Sequence, residues 1–124
     1  MFTLKKKERL SSYKLIKKLL DSSNIVLSSS VKCVFAKIDN YLNSKYHIQI
    51  LIKTPKKKIK KATERNLIKR RIREIFRKNK HLLAPDEGQV ILVQIEYLLT
   101  HNTSYHVLQQ DILKAFNEIS IKTS

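Results

Sequence analysis

The apolar positions of this chain change period several times, and each change marks an element. Between residues 11 and 21, Ile16, Leu19 and Leu20 recur at helical spacing among Lys14, Lys17 and Lys18. Ser11 or Ser12 stands where an N-cap belongs, so a short helix is predicted there. The cluster "DSSNIVLSSS" breaks it, since Ser and Asn favour turns, and leaves room for a short strand between residues 23 and 30. "VKCVFAKI", residues 31–38, is rich in β-branched and aromatic residues and reads as a strand. After the turn "DNYLNSK", the stretch 46–54 alternates: Tyr46, Ile48, Ile50 and Ile52 share one face, and His47, Gln49, Leu51 and Lys53 the other. Helical spacing returns at about 63–80, where Ile68, Ile72, Ile75 and Phe76 form an apolar stripe. "APDEG" is a turn. "QVILVQI", residues 89–95, is nearly continuous in apolar residues, the pattern of a strand covered on both faces. Leu108, Ile112, Phe116 and Ile119 then predict a last helix over roughly 104–119. The order is α, β, β, α, β, α with one further strand possible. At 124 residues, with no internal repeat, a single domain spanning 1–124 is expected.

Composition changes this picture in one respect. The chain has 26 basic and 10 acidic residues, a net charge of +16 and a pI near 10.1. Residues 1–80 hold 24 of the basic residues and five acids, whereas residues 81–124 hold two basics and five acids. A solubilising surface mixes its signs; this charge is focused, and focused positive charge points to nucleic acid or an anionic membrane surface. The apolar runs are too short to span a bilayer. "LKKKERL" continues into charge rather than into a signal-peptide core, and reads as a basic arm over about 1–10. One cysteine excludes an internal disulfide and fits a reducing, cytoplasmic setting.

The focus falls on "ERNLIKRRIREIFRKNK", residues 64–80, with eight Lys or Arg and two Glu. At about 100° per residue, Arg65, Asn66, Lys69, Arg70, Arg73, Arg77 and Lys80 occupy an arc of roughly 140° beside the apolar stripe. The arc contains the like-charge pairs Arg65/Lys69, Lys69/Arg73 and Arg73/Arg77 at i,i+4, each costing a few tenths of a kcal/mol in an isolated helix. A solvated charged face would tolerate that repulsion, but phosphates would relieve it, with bidentate arginine contacts and counterion release adding to the gain. Lys56, Lys57, Lys58, Lys60 and Lys61 form a basic loop leading into the helix.

"RNLIKRRIREIFR" resembles the Arg-Asn-x-x-Lys-Arg-x-x-Arg-Glu-x-x-Arg signature of the bacterial ribonuclease P protein subunit, and "TPKKKIKKATERN" resembles the basic loop before it. The likeness extends over nearly the whole chain. It implies an α+β fold of order αβββαβα, a two-layer sandwich similar to the second domain of ribosomal protein S5, with a left-handed βαβ crossover. It implies a protein that assists a catalytic RNA in endonucleolytic removal of the 5′ leader from precursor tRNA, one protein monomer per RNA. Phosphodiester hydrolysis would reside in the RNA and its Mg²⁺ ions, with no cofactor, metal or catalytic residue on the protein. Carried over by position, Arg65, Asn66, Lys69, Arg70, Arg73 and Arg77 become RNA contacts, supported by the lysine loop. Cys33, Phe35, Ile16, Leu20 and Lys53 would line a cleft for the leader between the first helix and the sheet. Where the family often has two phenylalanines in that helix, this chain has Ile16 and Leu20, and Leu51 stands where a small residue is usual.

The residues themselves suggest no protein nuclease. Asp86, Glu87, Glu96, Asp111 and Glu118 are scattered, and His101 and His106 lack the i,i+4 spacing of a helical zinc pair. The alternative that composition alone allows is a structural rRNA-binding protein of the ribosome. A helix-turn-helix lacks its partner helix before residue 63.

Overall fold

The computed structural model describes residues 13–21, 24–39, 48–83, 85 and 88–123. The basic arm, the Ser11/Ser12 cap and positions 46 and 47 lie outside them. The elements are α1 (Tyr13–Leu20), β1 (Ile25–Leu27), β2 (Val31–Asp39), β3 (Ile48–Lys53), α2 (Ala62–Asn79), β4 (Gln89–Tyr97) and α3 (Tyr105–Thr123), with a 3₁₀ turn at Lys80–Leu82 closing α2. The short strand for which the sequence left room is β1, so the order is αβββαβα.

The strands form one mixed sheet in the order β1-β2-β4-β3. β1 pairs with β2 and β2 with β4 antiparallel, whereas β3 and β4 run parallel. A parallel neighbour cannot be reached by a tight turn, and α2 supplies the crossover between β3 and β4. Gly88, with φ of +79°, makes the left-handed turn that starts β4. β4 lies inside the sheet, and its apolar run is buried on both sides, as its sequence predicts.

Register assigns the faces. On one, Cys33 and Phe35 of β2, Ile50 of β3, and Ile91, Val93 and Ile95 of β4 form a single core with α2 and α3. Ile68, Ile72, Ile75 and Phe76 are the buried residues of α2; Leu108, Ile112, Ala115, Phe116 and Ile119 are those of α3. Phe76 and Phe116 meet edge to face, ring centres 6.3 Å apart. On the opposite face, Val34, Ala36, Val90 and Leu92 pack against Leu15 and Leu19 of α1, with Ile16, Ile38 and Leu51 at the margin. α2, α3 and the sheet thus make the two-layer body, and α1 lies across the other side.

A polar clasp ties the β1–β2 hairpin to α3. The Ser29 hydroxyl, the Ser30 hydroxyl and the Ser30 amide all donate to Oδ2 of Asp111, and the Ser28 hydroxyl donates to the Asp111 carbonyl. Ser30 is fully buried, so its polar atoms depend on this carboxylate.

Candidate nucleic-acid interface

α2 is fixed by its apolar stripe, and that stripe determines where its charges point. The predicted helix of about 63–80 is the observed Ala62–Asn79. Asn66, Arg70 and Arg77 are exposed; Arg65, Lys69 and Arg73 are half-buried along the border with the core. On the opposite flank, Arg71 donates from Nη1 to the Thr103 carbonyl at 2.9 Å and to Asn102 Oδ1 at 3.2 Å, joining α2 to the segment before α3. Glu74 pairs with Lys78 at 3.1 Å, also outside the basic arc. The arc therefore faces away from α3, and neither glutamate of the helix falls within it. Motif spacing alone did not separate Arg71 from the arginines of the arc; only its angle on the helix does.

The six motif residues do not serve alike. Arg65 Nη1 donates to the carbonyls of Ile59 at 2.8 Å and Lys60 at 2.7 Å, so this guanidinium holds the lysine loop against the start of α2. Lys58 is likewise engaged, donating from Nζ to the Leu98 carbonyl at 2.8 Å. The loop is further closed by the amides of Lys58 and Ile59, both donating to the Pro55 carbonyl at 3.1 Å, and by Ile59, whose side chain is buried in the core. Lys56, Lys57, Lys60 and Lys61 remain exposed on this fixed loop. Lys57, Lys58, Lys60 and Lys61 border a shallow open depression with Glu64 and Thr100. Ordered cations at a helix N-terminus make a surface suited to phosphate.

The residues expected to line a cleft between α1 and the sheet divide in the structure. Lys53 is exposed, and strand alternation places it on the α1 side with Leu51. Ile16 is half-buried at the margin of the α1 cluster, and Leu20 is 55% exposed at the end of α1. Cys33 and Phe35 belong elsewhere. They point to the α2/α3 side and are buried at 0% and 2% exposure, so they do not line an α1 cleft. The β2 residues that face α1 are Val34 and Ala36. Every position from Cys33 to Ala36 is apolar and buried, so alternation along β2 carries no sign of which parity meets α1. Gln94 of β4, paired with Val34 and Leu51, shares the α1-side face and was not singled out from the sequence.

Cys33 is a buried thiol, and desolvation pushes its pKa up to about 12. Among the described residues no three His, Cys, Asp or Glu side chains gather as metal ligands, and no helix is long and apolar enough to cross a membrane.

Comparison with known proteins agrees with this architecture. The RNase P protein from Thermotoga maritima superposes with a TM-score of 0.69 at 22% identity, covering 90% of this chain and 96% of that one. The Staphylococcus aureus RNase P protein gives 0.70 at 17% identity, over 94% of this chain and 98% of its own. A mutant of the S. aureus protein with defective mRNA degradation activity gives 0.68 at 18% identity, over 94% and 90%. At these identities the structures establish a shared fold. The family model for ribonuclease P matches residues 4–120, nearly the full length. The basic helix, its lysine loop and the αβββαβα sheet are thus those of a family member: the chain belongs to the ribonuclease P protein family, the protein partner of ribonuclease P RNA in tRNA 5′-end processing.

Proposed function

We propose that the α2 face made by Asn66, Lys69, Arg70, Arg73 and Arg77 docks against the phosphates of the catalytic RNA, with Lys56, Lys57, Lys60 and Lys61 extending the contact. Arg65 serves that contact chiefly by shaping the loop. The observation that carries this reading is the arc itself: a cationic face set by a buried stripe, with both glutamates of the helix outside it. The 5′ leader of precursor tRNA then runs on the α1 side of the sheet, past Ile16, Leu20 and Lys53, with Val34 and Ala36 in place of Cys33 and Phe35. Hydrolysis belongs to the RNA and its Mg²⁺, and the protein's part is to offset phosphate repulsion where the two RNAs meet. One monomer per catalytic RNA satisfies this arrangement.

Reconstitution tests it. Protein with a bacterial ribonuclease P RNA and a precursor tRNA should cleave at lower Mg²⁺ than the RNA alone, and the highly purified protein alone should not cleave. Leader removal by RNA-free protein would falsify the division of labour.

A further inference from the structure

Beside the basic arc, the lysine loop faces a second wall. The segment between β4 and α3 is held there by cations of the basic region: Lys58 Nζ donates to the Leu98 carbonyl, and Arg71 Nη1 to the Thr103 carbonyl. Arg65 fixes the opposite wall through the carbonyls of Ile59 and Lys60. Three cations thus act as struts, and the depression between the walls, about 380 Å³, is shaped by the protein alone. At the low end of ligand-pocket volumes, it has room for a nucleotide and not for a duplex. Glu64 is the one acid on its lining, among Lys57, Lys58, Lys60 and Lys61, yet it makes no ion pair with any of them in the described structure. The first turn of α2 favours a carboxylate. That accounts for a stable helix, but not for a half-buried carboxylate left unpaired beside four lysines. On a surface meant only for phosphate, it would repel the ligand.

We infer that the depression seats one unpaired guanine of the RNA partner, and that Glu64 is the residue that selects it. The inference rests on the proposed docking of the lysine loop and deepens it. A carboxylate has only acceptors, two oxygens side by side. Guanine presents two adjacent donors on its Watson–Crick edge, N1–H and the 2-amino group. Uracil has one donor there between two acceptors. The amino groups of adenine and cytosine each stand beside a bare ring nitrogen, which would face the second oxygen. A charge-assisted pair of bonds therefore favours guanine. The flanking phosphates go to Lys57, Lys60 and Lys61, which are exposed, and Thr100 on the opposite wall offers the ribose a hydroxyl. The base must be unpaired, because pairing uses the edge that Glu64 reads.

The test uses the full chain and fluorescein-labelled RNA duplexes that differ only in one bulged nucleotide, G, A, C or U, with anisotropy read at one salt concentration. The wild type should bind the G bulge about tenfold more tightly than the others, the discrimination of a bidentate pair. Glu64→Gln and Glu64→Ala each remove a negative charge and the paired acceptors. Both should bring the four affinities within about twofold of one another, while binding the A, C and U bulges at least as tightly as wild type, which an unfolded chain would not do. Lys60→Ala should weaken all four alike. Equal affinities for the four duplexes in the wild type overturn the inference, as does a G preference kept in both Glu64 variants. A uniform gain in all four affinities also overturns it, since Glu64 would then be a source of repulsion only. Arg70→Ala tests the docking reading separately: it should weaken all four and leave the G preference intact. Weaker binding by Arg70→Ala with no G preference in the wild type overturns base selection alone.

Discussion

Arg65 and Arg70 lie five positions apart in one motif, and their surroundings give them different tasks. Arg70 is exposed, and no hydrogen bond within the described protein uses it. Arg70→Ala should leave the urea midpoint nearly unchanged and weaken RNA binding. Arg65 holds two loop carbonyls, so Arg65→Ala should lower unfolding free energy by about 1–3 kcal/mol and weaken RNA binding as well, through the loosened loop. Equilibrium unfolding and RNA titration of the two variants separate these outcomes. Cys33 gives a third expectation. With its pKa raised to about 12 by burial, it should resist alkylation in the native protein at pH 8 and react once the chain is unfolded. Because the folded thiol holds its proton more tightly than the unfolded one, its contribution to stability is complete below the unfolded value near 9.0. That contribution is lost as pH rises toward 12, which unfolding curves across this window can follow. The motif spelled out which arginines matter, but not that one of them reaches back to its own loop. Such a reach depends on the loop's path, which Pro55 and Ile59 set through backbone bonds and burial.

α2 carries the fold on one side and the proposed contact on the other, and substitution should separate them. Ile72→Ala should cost about 2–5 kcal/mol of stability, since Ile72 is fully buried. Arg73→Ala should cost little stability and lower RNA affinity. Thermal melts in the reverse order would overturn the assignment of faces. The clasp between α3 and the β1–β2 hairpin yields a separate expectation: Asp111→Ala strands the buried Ser30 and should cost about 1–3 kcal/mol, read as a lower urea midpoint. Elements with one clear period were legible in the sequence. The stripe of α2, the alternation of β3 and the doubly buried β4 all fell where their patterns place them. β2 was legible as a strand but not in its orientation, because both of its parities are apolar. Only pairing with β4 settles that Val34 and Ala36, rather than Cys33 and Phe35, meet α1. β1 has three residues and an exposed-buried-exposed pattern, too short for its period to be distinctive.

The distribution of charge over the chain should make RNA affinity a steep function of salt. If Lys69, Arg70, Arg73 and Arg77 each neutralise one phosphate, log K against log salt should have a slope of about −3.6, at roughly −0.9 per phosphate, with loop lysines steepening it. Arg70→Ala should shallow the slope by about one unit, and Lys122→Ala, at the far end of α3, should not change it. Equal slopes for wild type and both variants would mean that the arc is solvated surface. The sheet topology has a further consequence, because α2 is itself the connection between the parallel strands β3 and β4. Fraying of the basic helix α2 should therefore loosen β4, and loss of β4 should release the helix. Any partner that holds the folded face of α2 therefore stabilises the entire chain by mass action, by about 2.7 kcal/mol when it is present at a hundred times its dissociation constant. Copies of the protein in excess of their RNA form the less stable pool. A protease should thus remove unassembled protein before assembled protein.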